Sequence, residues 1–244
     1  MIVCSVVVLT HNHLDQTRQF YKSLVDNCLV TVELIFVDDR STDGTRDWIT
    51  TLKPEGNIES IKLIKKETKR CFAQSCNLGI ESATTEEVMV CNNDILFVKG
   101  SILNTLILKK QSNTDLMVPT TNNVGLQAQW FPGPMCCKKA ATINKEVCFV
   151  AFMLSKDMWR KVKLDEHYEF GVEDIDYCWE VAKHRGKTGI CLSSFVHHNH
   201  EGSNTVNAKS EGSKESYNKL FGNGWKYFAK KWGEAGVKRA KEFI

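Results

Sequence analysis

The chain has 244 residues, 42% of them hydrophobic and only four of them proline, which suits one sizeable α/β domain and excludes a disordered chain. Its 32 basic residues are nearly matched by 29 acidic ones, leaving a formal charge of +3, so overall charge gives no ground for nucleic-acid binding. Of ten cysteines, Cys4, Cys91 and Cys148 sit in apolar runs as small hydrophobes, and adjacent Cys136 and Cys137 lack redox or zinc spacing; a reduced, cytoplasmic chain is expected.

The opening MIVCSVVVL is too short to span a bilayer and has no basic stretch before it, so it reads as a buried strand rather than a signal peptide or an anchor. Ile2–Leu9 is β-branched without alternation, as a central parallel strand requires. Leu14, Tyr21, Leu24, Val25 and Cys28 then recur at helical spacing after Asn12 or His13. A second strand, Val32–Val37, ends in Asp38 and Asp39, and Asp43 can cap a short helix through Leu52 before Pro54 and Gly56 stop it. Ile58–Ile64 as a strand, Phe72–Ala83 as a helix and Val88–Cys91 as a strand continue the rhythm. Such units predict a mostly parallel sheet with ligands beyond the strand C-termini.

The second half is less regular. Leu103–Lys109 reads as a helix, Asp115–Pro119 as extended, and Thr121–Ala141 as an irregular stretch containing Trp130 and Phe131. Val147–Leu154 is an apolar strand pattern; Glu173–Lys183 is a helix with Ile175, Cys178, Trp179 and Ala182 inward, interrupted by Gly186 and Gly189. Asn199–Gly212 reads as a long loop, Tyr217–Lys231 as a lysine-rich helix packed through aromatics, and a last short helix follows Gly233.

Four clusters can carry chemistry. VDDRSTDGT (Val37–Thr45) offers carboxylates to a ribose or base, with Asp39 the better contact and Asp43 the turn former. CNNDILF (Cys91–Phe97) places Asp94 just past a strand, where it is either a solvated end or a ligand to a hard divalent ion. FGVEDIDYCWE (Phe170–Glu180) crowds Glu173, Asp174 and Asp176 into a helix start; the helix dipole favours such charge, but three acids exceed the needs of capping, and one can act as a general base. SFVHHNHEGS (Ser194–Ser203) has no zinc spacing, although an imidazole from it can join Asp94 around an ion.

In succession, SVVVLTHNH, VDDRSTDGT, CFAQSCNLGI (Cys71–Ile80), CNND, LDEHYEFGVEDIDYCW (Leu164–Trp179) and HHNHEGS resemble glycosyltransferase family 2, inverting enzymes with a GT-A fold. The NND form is similar to a rhamnosyltransferase-like branch. The resemblance implies an α/β GT-A fold: a mostly parallel, Rossmann-like central sheet flanked by helices, with a short antiparallel acceptor-side portion. It implies a catalytic domain over residues 1–205, with a donor half of about 1–98 and an acceptor half of about 99–205, and a helical extension over 206–244.

By the same resemblance, Thr10 and Asp39 meet the base or ribose, Asn92 and Asn93 belong to the donor-binding set, and Asp94 with His198 holds Mn²⁺ or Mg²⁺. Asp174 is the catalytic base and Glu173 its neighbour, orienting it or meeting the acceptor; His197 and His200 are register alternatives to His198. Asn92 stands where the family's DxD-like motif has an acid, and Glu180 stands where many relatives carry a base. The expected activity is transfer from a UDP, dTDP or GDP sugar to an acceptor hydroxyl, with acceptor choice in Thr121–Ala141, the surroundings of Trp130 and the C-terminal helices. The expected protein is cytoplasmic, without a transmembrane segment; peripheral attachment to the inner face of a membrane stays open. A metal-dependent nucleotidyltransferase would want a glycine-rich, basic triphosphate loop where this chain has THNHL. A noncatalytic sugar-binding protein would have no need of the base at Asp174.

Overall fold

The hydrophobic opening forms β1 (Cys4–Thr10), which lies between β2 (Val32–Asp39) and β4 (Glu87–Asn92), parallel to both. The computed structural model describes residues 1–67, 71–134, 141–143, 146–168, 171–199 and 214–242. In chain order the other strands are β3 (Ile58–Lys66), β5 (Ile95–Phe97), β6 (Leu116–Thr121), β7 (Ala141–Ile143), β8 (Ala151–Ser155) and β9 (Thr188–His198). The helices are α1 (Leu14–Asn27), α2 (Thr45–Thr51), α3 (Phe72–Ser82), α4 (Ser101–Ser112), α5 (Lys156–Lys161), α6 (Glu173–Lys183) and α7 (Lys214–Lys241).

The described strands form one sheet in the order β3-β2-β1-β4-β8-β6-β9-β5, with β7 on β9. The first half is parallel throughout, because each return passes through a helix. Beyond β4 the sheet is mixed: β8 runs antiparallel between β4 and β6, while β6 and β9 are parallel. This is the expected α/β architecture.

Both faces of β1 are buried, which explains its lack of alternation. Val6 and Val8 join Phe20 and Leu24 of α1 on one face, whereas Val7 joins Cys76 and Ile80 of α3 and Tyr177 and Val181 of α6 on the other. Burying each of the larger side chains contributes about 1.5–3 kcal/mol. Gly79 lets α3 approach closely: a Cβ there would sit 2.2 Å from Val7 Cγ1. Cys4, Cys28, Cys71, Cys76, Cys91, Cys148, Cys178 and Cys191 are free thiols.

Several sequence expectations are corrected. Val147–Leu154 is not one strand; β8 begins at Ala151, and Val147 and Phe149 are buried in the α6-side core without joining the ladder. Burial, rather than pairing, accounts for that apolar run. Ala182 is exposed, because the inward stripe of α6 runs through Tyr177, Cys178 and Val181. The helix ends at Lys183 ahead of Gly186, as expected, and Gly189 lies inside β9. Strands β5 and β7 and helix α5 have no counterpart in the sequence reading, since three to six residues are too short to show a period, and neither has β9, whose apolar run is broken by Ser193 and Ser194. α7 does break at Gly233 (φ 73°), as the sequence suggests. The Asn199–Gly212 loop lies, beyond Asn199, outside the described residues.

Candidate active site

Parallel pairing brings the ends of β1, β2 and β4 to one edge: Thr10 faces Asp38 and Leu9 faces Asn92 across the ladders. The C-terminal edge of such a sheet is where ligands gather. Asp38 is fully buried and holds the edge together, accepting from the Ser41 amide (3.0 Å), the Ser41 hydroxyl and the Arg46 guanidinium. Thr10, also buried, donates to Asp38 Oδ1 at 3.2 Å, so its hydroxyl is already engaged within the edge.

Asp39 is arranged differently. Its Oδ2 meets Lys66 Nζ at 3.3 Å, with both side chains buried, while its buried Oδ1 lies 3.6 Å from Arg40 Nε and accepts no hydrogen bond. A carboxylate oxygen at a strand end that accepts no hydrogen bond is available to a ligand hydroxyl. Lys66 gives no sequence signal, because it is one of several lysines in β3 and only the Asp39↔Lys66 register reveals its role. Asp43 is structural: it accepts from the Leu14 and Thr45 amides that open α1 and α2. Partial burial opposes its charge, but hydrogen bonds from Thr45 and Leu14 hold its carboxyl below the usual range.

The Asn92–Asp94 turn divides its labour. Asn92 is half-buried, and its amide donates to Val150 O at 3.0 Å. Asn93 donates to Asn12 O (3.3 Å) and Thr17 Oγ1 (2.9 Å), tying the turn to α1 rather than opening toward a ligand. Asp94 is 4% exposed; its Oδ1 has no partner and its Oδ2 lies 3.4 Å from His198 Nε2. Of the two described candidate histidines, His198 is the one paired with Asp94. His197 instead stacks edge-on with Phe195, and His200 is outside the described residues.

His198 is oriented by two residues the sequence did not single out. Asn122 Oδ1 accepts its backbone amide at 2.8 Å, and Asn123 O lies 2.7 Å from Nδ1. A carbonyl only accepts, so Nδ1 carries a proton and Nε2 is directed to Asp94. Burial works against a charged imidazole, but the hydrogen bond and charge of Asp94, with the Asn123 carbonyl, raise its pKa above the ordinary value. Among the described residues no three His, Cys, Asp or Glu side chains form a metal cluster. Asp94 Oδ1 and His198 Nε2 nevertheless supply two suitable donors, leaving further positions to be filled by ligand oxygens.

Glu173 and Asp174 open α6 after Gly171 and Val172, both left-handed (φ 81° and 61°). Desolvation, with the Asp174 charge next, raises the Glu173 carboxyl to about 8, and its Oε2 is a buried oxygen without a partner. Desolvation also raises Asp174 to about 6, against hydrogen bonds from backbone amides and the Cys148 thiol. Burial thus pushes both neighbouring carboxyls upward, toward the range in which an acid can exchange a proton near neutral pH. Trp130, next to the buried Gln129 whose amide clasps the Cys148 backbone, is 46% exposed.

The sequence profile described as Glycosyl transferase family 2 matches residues 5–136, more than half of the chain. No curated protein sequence matches it. Among solved structures, S. aureus TarS 1-349 superposes with a TM-score of 0.65 at 15% identity, over 81% of this chain and 60% of that one. The same TarS fragment in complex with UDP-GlcNAc gives 0.65 at 16%, over 83% and 60%. GalNAc-T7 with UDP, GalNAc and Mn²⁺ gives 0.65 at 13%, over 81% and 44%. The chain thus spans about 60% or less of these relatives, and the likeness establishes a GT-A fold. Among the described residues no helix is long and apolar enough to cross a membrane.

Proposed function

The chain belongs to glycosyl transferase family 2, and on that premise we propose that it is an inverting glycosyltransferase moving a sugar from a nucleotide diphosphate to an acceptor hydroxyl. The observation that carries the reading is that buried carboxylate oxygens at the ends of β2 and β4, Asp39 Oδ1 and Asp94 Oδ1, and at the start of α6, Glu173 Oε2, accept no hydrogen bond, with burial raising the neighbouring Asp174 to about 6. Buried polar atoms without a hydrogen bond are uncommon, and a ligand is one explanation for them.

In this reading Asp39 accepts a ribose or base hydrogen bond, with Thr10, Asn92 and Asn93 shaping the donor pocket. Asp94 and His198 would hold Mn²⁺ or Mg²⁺, which when bound offsets negative charge on the diphosphate. Asp174 takes the proton from the acceptor hydroxyl as that oxygen bonds to the anomeric carbon and the bond to the diphosphate breaks, inverting the centre. Glu173, whose ionised form burial disfavours, orients Asp174 or meets the acceptor. Residues 1–98 serve the donor and 99–205 the acceptor, with 206–244 an extension; exposed Trp130 lies in the acceptor segment. UDP sugars are the first donors to test, since TarS is solved with UDP-GlcNAc; dTDP and GDP sugars follow, dTDP-rhamnose among them for the NND motif. A cytoplasmic setting accompanies this donor chemistry.

The test is a donor panel with and without Mn²⁺, read by mass spectrometry for nucleotide release and sugar transfer. Transfer with inversion is expected. A product with retained anomeric configuration, or no turnover of any nucleotide sugar, would overturn the reading.

A further inference from the structure

The acidic turn at the start of α6 is held by α7. Asp176, 2% exposed, has both oxygens engaged: Tyr168 Oη (3.0 Å) and Trp232 Nε1 (2.7 Å) donate to Oδ1, and Lys231 Nζ (2.9 Å) donates to Oδ2. Trp232 and Lys231 belong to α7. Lys231 also reaches Asp165 at 3.1 Å and Glu180 at 3.3 Å, so one ammonium is shared by three carboxylates on two segments.

A second contact is steric. Gly171 and Val172 are consecutive left-handed residues, and for a β-branched valine φ 61° is strained. Such strain persists only where surrounding packing over-determines it. The packing here is α7: Val172 and Ile175 are buried in one cluster with Phe228 and Ala240, and Phe221 lies so near Gly171 that a Cβ would be 2.5 Å from its ring. The next residues are Glu173 and Asp174.

We propose that α7 is a positioning element for the acidic pair: Lys231 and Trp232 anchor Asp176, Phe228 clamps Val172, and the strained turn between them presents Glu173 and Asp174. The assignment of Asp174 as base rests on the glycosyltransferase reading; the brace itself does not. Asp176, the third acid of the motif, is then the attachment point of the brace and takes no part in proton transfer. Without its cation it would be a buried, uncompensated charge three positions from Glu173.

Hydrogen exchange on the full chain tests this directly, comparing Lys231→Met, Lys231→Arg and Trp232→Phe with the parent. In Lys231→Met the amides of residues 171–178 should exchange about tenfold or more faster while β1 and β2 are unchanged, with Lys231→Arg restoring most of the protection. Trp232→Phe, which loses only the indole donor, should show a smaller change confined to the same segment, and decides the question if Lys231→Met does not fold. With a donor that turns over, Lys231→Met should lower kcat while leaving donor KM within about twofold. Parent-like protection of residues 171–178 in these variants, or loss spread equally into β1 and β2, would overturn the brace. Absence of nucleotide release by the parent would instead overturn the glycosyltransferase reading and leave the exchange result standing.

Discussion

The imidazole of His198 stands 3.4 Å from the carboxylate of Asp94, at the open end of the antiparallel pair formed by β5 and β9. Ile95 and His198 are register partners, so the pairing of a three-residue strand brings together two side chains far apart in sequence. If they share an ion, each should matter only when the ion is present. Asp94→Ala and His198→Ala should each weaken Mn²⁺-dependent UDP binding by about 10- to 100-fold, with little effect on binding measured in chelator. Isothermal titration with and without Mn²⁺ checks this; parent-like Mn²⁺ dependence in Asp94→Ala would remove the assignment.

Asp174→Asn keeps the shape of the side chain and removes its basicity. It should reduce kcat by about 10²- to 10⁴-fold with donor KM nearly unchanged. Single-turnover transfer at saturating donor is the measurement, and ordinary transfer would rule out Asp174 as base. Because burial raises Asp174 to about 6, the parent's rate should climb with pH below that value and level off above it.

Glu173 predicts a stability effect of opposite sense. Its carboxyl is raised from 4.5 to about 8, so between those values the folded chain binds more protons than the unfolded one and stability falls as pH rises. Glu173→Gln, which cannot ionise, should therefore melt a few degrees higher than the parent at about pH 8, with the difference shrinking toward about pH 4. Melting curves at the two pH values test the sign.

The buried pair of Lys66 and Asp39 makes a further prediction. Lys66→Met removes the nearer and buried one of the two cations beside Asp39, leaving Arg40 Nε at 3.6 Å, and should cost about 3 kcal/mol in urea unfolding. Combining it with Asp39→Asn should recover much of that loss, while nucleotide binding stays weak because the accepting carboxylate is gone.

Much of the fold was legible in the residues. Periodicity separated the buried strands of the first half from α1 and α3, and α6 begins and ends at the residues expected, because those segments are long and their apolar spacing is unbroken. The rest was less legible: β5 and β7 are too short to carry a period, Ser193 and Ser194 break the apolar pattern of β9, and Val147–Val150 is apolar because it is buried, without being paired.

The site shows the same division. Local pattern is enough to put Asp39, Asp94 and Asp174 at strand ends or at a helix start. Which oxygens are already used follows from register and packing. They commit Thr10, Asn93 and Asp176 to internal hydrogen bonds, select His198 over His197 beside Asp94, and bring in Lys66, Asn122, Asn123 and Lys231. The reason is physical: a side chain's chemical type is local, whereas its desolvation and its partners depend on register and packing between segments distant in the chain.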